Sequence, residues 1–140
     1  MKLSVRSTYG LRAMLVLAME YGQGPVMVRK IAERENLPVS YLEQLLAQLR
    51  KAGLVSAMRG ATGGYALARP PEEVTVLDVF VALEGPLELI DCATVASCTW
   101  QPDRCALKGF LDQAAAHLAT FFEGMPLSSL AKLQLGTPQP

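Results

Sequence analysis

The sequence has no uninterrupted apolar run of about 18 residues, the length a membrane-spanning helix needs. Apolar residues gather between Met14 and Met19, but Arg12 and Glu20 bracket them and no small-residue cleavage site follows. A soluble, cytoplasmic protein with no membrane partner is therefore expected. Histidine occurs once, at His117, so no nucleophile has an obvious paired base. The Gly60-Ala61-Thr62-Gly63-Gly64 stretch lacks the Lys-Ser/Thr of a phosphate-binding loop and the glycine spacing of a dinucleotide site. An enzyme is not expected. Cysteine is missing everywhere except Cys92, Cys98 and Cys105, and three thiols cannot form a full disulfide framework. Repeats and low-complexity segments are absent as well.

What is present is enough apolar residue, 51% of 140, to build one main core. The formal net charge is zero, yet the two halves differ. Residues 1–70 carry ten Lys/Arg against four Asp/Glu; residues 71–140 carry three against nine. A polyanion meets the local field of the basic half, so the split points to nucleic acid more strongly than the total does.

Helical periodicity runs from about Thr8 to Tyr21 through Leu11, Met14, Leu15 and Ala18. A short basic helix with Arg29, Lys30 and Arg34 follows and stops near Asn36, ahead of Pro38. Ser40-Tyr41-Leu42-Glu43 has the form of a capping box, which predicts a helix starting at Tyr41. Its apolar side is Leu42, Leu45, Leu46 and Leu49, and Gly53 is its natural stop. Two helices joined this tightly make a helix-turn-helix pattern. Leu54–Arg59 and Tyr65–Arg69 then read as strands around the glycine-rich tip, which makes a hairpin wing.

After Pro70-Pro71, Thr75-Val76-Leu77-Asp78 opens another helix, with Val76, Val79, Phe80 and Leu83 facing inward until Gly85-Pro86. The broadest helical stripe spans about Cys105 to Glu123: Leu107, Phe110, Leu111, Ala114, Ala115, Leu118, Phe121 and Phe122. A stripe that wide needs a second surface, and the same helix of a second chain would supply it. The expected fold is mainly α with a small β-hairpin wing: a winged helix-turn-helix domain plus a long dimerisation helix. Its expected parts are a DNA-binding region at 1–70, a linking helix at 71–90, a cysteine loop at 91–105, the dimerisation and short C-terminal helices at 106–134, and a flexible tail at 135–140.

Two groups of residues carry candidate chemistry. On the helix predicted from Tyr41, the side away from the leucines holds Glu43, Gln44, Ala47, Gln48, Arg50 and Lys51, with Ser40 and Tyr41 at its start. Serine, glutamine and glutamate can read base edges while arginine and lysine hold phosphates. The plain alternative is a solvated helix face. Arg59 before Gly60 sits at a tip without bulky side chains, suited to entering the narrow minor groove.

Cys92-x5-Cys98-x6-Cys105 is not a close-paired zinc knuckle. Wider spacing lets thiolates wrap a larger inorganic unit, and soft sulfur suits an iron-sulfur cluster. A zinc or thiol-redox loop stays open beside it. Three cysteines leave one coordination position to something else. His117 lies twelve positions past Cys105, roughly 18 Å along a helix, and reads as a surface or interface residue. Asp91 and Asp103 read as turn or capping residues.

The segments MKLSVRSTYGLRAM and VSYLEQLLAQLRKAGLVSAMRGATGGYALAR together with the three cysteines resemble the Rrf-two family of bacterial regulators, which includes IscR-like and NsrR-like branches. The resemblance implies a homodimeric winged-helix regulator of a double-stranded DNA operator, with a cluster in the cysteine loop, 2Fe-2S favoured over 4Fe-4S. It implies that Ser40, Tyr41, Glu43 and Gln44 belong to the reading helix, Arg59 to the wing, and Cys92, Cys98 and Cys105 to the cluster. Two departures stand out. The IscR-like branch has a histidine shortly after the third cysteine, where this chain has Ala106-Leu107-Lys108; the NsrR-like branch has an N-terminal aspartate, where this chain has Ser7-Thr8-Tyr9.

Overall fold

The computed structural model describes residues 2–94 and 98–137. Helix α1 spans Val5–Met19. It starts three residues before the expected Thr8, because the Ser4 side chain accepts a hydrogen bond from the Ser7 backbone N–H (3.1 Å) and so caps the first turn. Helix α2 covers Val28–Glu35 and ends at Asn36, whose φ of 54° is the left-handed conformation that asparagine tolerates. Pro38 then stands in extended geometry ahead of α3, Val39–Lys51.

The start of α3 corrects the sequence reading. The helix begins at Val39 rather than Tyr41, Pro38 occupies the capping position, and no side chain caps the end. Proline is compatible with the first turn because its missing N–H would have no helical partner there. Ser40 and Glu43 are both exposed on the helix and form no capping box. Leu42, Leu45, Leu46 and Leu49 are all essentially buried. Each such leucine contributes about 1.5–3 kcal/mol by leaving water.

Strands β1 (Val55–Met58) and β2 (Gly64–Leu67) pair antiparallel, Val55 opposite Leu67 and Met58 opposite Gly64. Val26 adds a one-residue third rung, exchanging hydrogen bonds with Tyr65 of 2.7 and 2.8 Å. That rung explains one glycine of the tip. At Gly64, φ is 152° and a Cβ would lie 2.3 Å from the Val26 carbonyl oxygen. Only a residue without a side chain lets the two backbones meet there.

Helix α4, Val76–Glu84, opens with a true capping box between Thr75 and Asp78. Val76, Val79 and Leu83 are buried as expected, and Phe80 is half-buried, edge-on to Phe122 of α5 with ring centres 6.0 Å apart. Short 3-10 turns at Cys92–Thr94 and Pro102–Arg104 punctuate the cysteine segment. Helices α5 (Ala106–Glu123) and α6 (Leu127–Leu135) complete the chain.

One continuous core joins both halves. Residues of α1, α2, α3 and the hairpin share it with Val74, Val79, Leu83, Leu127 and Ala131. Helix α1 packs on α4 and α6 as well as on α2 and α3. At Gly10 the approach to α4 is so close that a Cβ would sit 2.2 Å from Leu83 Cδ1. Among the described residues no helix is long and apolar enough to cross a membrane.

Candidate nucleic-acid interface and cysteine loop

The buried leucines fix which side of α3 faces solvent. Ser40, Glu43, Gln44, Ala47, Arg50 and Lys51 are exposed, and so are Arg59 and Gly60 at the hairpin tip. A depression of about 500 Å³ lined by Ala47, Arg50, Lys51 and Tyr65 connects the end of α3 to the hairpin. Among the described residues Arg50, Lys51 and Arg59 make no ion pair. Arg12 is held by Glu35 at 2.6 Å, and Lys30 and Arg34 face Glu20 at 3.8 and 3.7 Å. The basic half thus spends several cations on joining α1 to α2 and leaves others on the helix–hairpin side. Such partly exposed pairs contribute little to stability, typically under about 1 kcal/mol.

Two residues assigned to the reading side from sequence sit differently. Tyr41 is half-buried and packs edge-on against Tyr9, with ring centres 6.0 Å apart. Arg12 lies over the same Tyr9 ring at 6.0 Å. The side chain of Gln48 points into the fold: its Nε2 donates to the carbonyls of Ala82 (3.1 Å) and Leu83 (3.3 Å), and its Oε1 accepts from Arg6 (2.7 Å). Sequence periodicity could not see α4 folding over that turn.

A second polar group lies beside this one. The Glu84 carboxylate accepts hydrogen bonds from Ser4 and, at 2.8 Å, from Ser7. The Ser4 bond, with Ser7 and the nearby Arg6 charge, holds the Glu84 carboxyl below its ordinary value of 4.5 against a smaller effect of burial. Nothing in the local sequence pairs either serine with Glu84, 80 and 77 positions away.

The cysteine loop rests on the start of α5. Cys105 is the N-terminal cap of that helix, its Sγ accepting from the Lys108 N–H at 3.4 Å. The Lys108 ammonium bonds to Asp112, which is the first reason it holds its proton above the usual lysine range; the nearby Cys92 and Glu88 charges add to it. Cys105 thus touches the Lys108 backbone, and Cys92 lies within electrostatic range of the Lys108 ammonium. Cys98 is exposed, its thiol 3.9 Å from the Trp100 carbonyl.

Soft sulfur donors fit an iron-sulfur cluster chemically. Among the described residues, no three His, Cys, Asp or Glu side chains stand together as a metal site. Residues 95–97, inside the loop, lie outside the described residues. Of the weaker ligand candidates, Asp91 is bonded to the Ala93 N–H (2.9 Å) as a turn residue and Asp103 belongs to a 3-10 turn. His117 is exposed on α5.

On α5 itself only Ala115 is buried. Leu107, Phe110 and Phe121 expose 53%, 67% and 68% of their surface, so much of the apolar stripe is uncovered within one chain.

Comparison with known proteins matches this architecture along nearly its whole length. The model of a family described as Rrf2, iron-dependent transcriptional regulator, matches residues 3–133. The transcriptional regulator CymR of Bacillus subtilis is 40% identical over 129 residues, which are 89% of this chain and 94% of that one. The solved structure of that protein, described as the global cysteine regulator of B. subtilis, superposes with a TM-score of 0.79 at 34% identity, over 95% of this chain and 98% of the other. The structure of T. potens IscR gives 0.78 at 35% identity, over 100% of this chain and 94% of that one. With the helix-turn-helix, the paired hairpin and the long C-terminal helices in place, the chain belongs to the Rrf2 family of winged-helix transcriptional regulators.

Proposed function

We propose that the protein is a cytoplasmic, homodimeric regulator that grips a double-stranded operator through α3 and the hairpin and adjusts that grip through its cysteine loop. The observation that carries this reading is a set of exposed cations that make no ion pair among the described residues: Arg50 and Lys51 beside the depression between α3 and the hairpin, and Arg59 at the hairpin tip. Ser40, Glu43 and Gln44 stand at the exposed start of α3 and are the groups able to read base edges. Arg50 and Lys51 hold phosphates, and Arg59 with Gly60 follows the minor groove. Tyr41 supports the helix start from within rather than reading bases. Two copies joined along α5 would cover Leu107, Phe110 and Phe121 and present two reading helices to half-sites about 34 Å apart or a multiple of that.

For the loop, the donor chemistry favours an iron-sulfur cluster, 2Fe-2S, held by Cys92, Cys98 and Cys105, with the remaining position filled by another group. When bound, such a cluster supplies a charge and redox state that follow iron and oxidant levels. A second reading, supported by the thiols not standing together as a metal site among the described residues, is a loop that senses through its thiols alone; zinc on the same thiols is the variant of it. Anaerobic isolation decides between them. Visible absorbance with stoichiometric iron and sulfide supports the cluster, whereas a colourless protein with zinc or reversible disulfides supports the thiol loop. Failure of both the cluster-loaded and the cluster-free protein to bind duplex DNA at low salt would reject the regulator reading itself.

A further inference from the structure

A helix leaves its last four carbonyls without helical partners, and at a packed helix end they need donors from elsewhere. In α4 the Val81 carbonyl takes the Gly85 N–H at 2.9 Å. The next two, Ala82 and Leu83, are taken by the Nε2 of Gln48, which belongs to α3. The end of one helix is therefore capped by the side chain of another. Arg6 of α1 fixes the far side of the same amide. Glu84, one residue on, is held by Ser4 and Ser7. The chain leaves this clamp at Gly85-Pro86 and reaches Cys92 within seven residues, with Glu88 and Cys92 both in electrostatic reach of Lys108 at the start of α5.

We propose that Gln48 is a positioning residue for DNA recognition, coupling the orientation of α3 to the stem of the cysteine loop through the two α4 carbonyls that it caps. The inference rests on the proposed function above, since it needs the loop to influence DNA binding. A shift of the stem moves the last turn of α4, and the Gln48 amide makes that turn and the middle of the reading helix move together. Packing of leucines tolerates small slides, whereas two hydrogen bonds from one planar amide fix both distance and direction.

All three cysteines lie in the loop, so alkylation with iodoacetamide perturbs the loop and no other thiol. The probe is a duplex selected by the wild-type protein from a random-sequence library. Its dissociation constant is measured before and after alkylation for wild type, Gln48→Leu and Gln48→Glu, the last keeping the Arg6 contact while losing both donors. Alkylation should change the wild-type constant by about fivefold or more, and the change should fall to within about twofold in both variants. Ala131→Gly, which loosens the buried face of α6 and removes none of the clamp's hydrogen bonds, should keep the wild-type response and controls for general destabilisation. Gln48 variants that respond as wild type overturn the coupling. If the wild type does not respond, the loop has no influence on DNA, and the proposed function fails together with the coupling. If Gln48→Leu does not fold, Gln48→Glu carries the test.

Discussion

The thiol of Cys105 accepts a hydrogen bond from the backbone N–H of Lys108, 3.4 Å away, so the 18-residue α5 begins on a sulfur atom. The same atom is a proposed cluster ligand. Serine at this position keeps an acceptor for the cap but is a poor soft donor. Compared without cluster, Cys105→Ser should therefore have helical content and a thermal midpoint close to wild type, while after cluster reconstitution it should fail to retain iron and sulfide. Cys105→Ala should lose both, with a stability cost of up to about 1 kcal/mol. Circular dichroism melts and metal analysis of the two variants check this; equal iron in wild type and Cys105→Ser would remove Cys105 from the ligand set.

The close approach of the Gly64 backbone to Val26 gives a prediction about the wing. An alanine Cβ would meet the Val26 carbonyl oxygen at 2.3 Å, at a φ of 152° that side chains disfavour. Gly64→Ala should destabilise the protein by about 1–3 kcal/mol in urea unfolding. Unchanged stability would mean that the Val26–Tyr65 rung gives way freely.

Glu84 predicts an acid-sensitive contribution to stability. Its folded carboxyl is held below 4.5 by the Ser4 and Ser7 hydroxyls and by Arg6. A group whose folded value is lowered contributes stability above its unfolded value and loses it as pH falls through the folded one. The contribution is thus full at neutral pH and fades below 4.5. The carboxylate is largely exposed, so solvent screening keeps it small. Glu84→Gln should be somewhat less stable than wild type at neutral pH, and the gap should close on acidification. Unfolding midpoints of both proteins across that range supply the comparison; a gap that persists undiminished in acid would contradict it.

These contacts separate what the sequence could tell from what it could not. The leucine face of α3, the Thr75–Asp78 capping box and the stripe of α5 were legible because each depends on local spacing. The Ser40–Glu43 motif misled: the same spacing places two polar residues on an exposed helix turn, and Pro38 had already taken the capping position. Ser4 was missed because a cap is read against the helix that follows, and Val5-Arg6-Ser7-Thr8 carries no strong apolar period. Gln48 was read as solvent-facing because nothing local reports that α4 covers it. The cysteine spacing announced sulfur chemistry, but whether three thiols converge depends on how a long loop folds back, which spacing does not specify.

Arg59 stands exposed at the hairpin tip and makes no ion pair among the described residues. If it contacts phosphate or the minor groove, Arg59→Ala should weaken binding to the selected duplex and reduce the slope of log affinity against log salt by about one. Titrations at several salt concentrations measure both. An unchanged slope and affinity would take Arg59 out of the interface.

The most direct measurement of the central claim is sedimentation of the protein with a fluorescent selected duplex at low salt and again at moderate salt. The account predicts that two chains travel with each duplex and that the complex dissociates steeply as salt rises. A protein that sediments as a single chain and leaves the duplex unbound at low salt would contradict it.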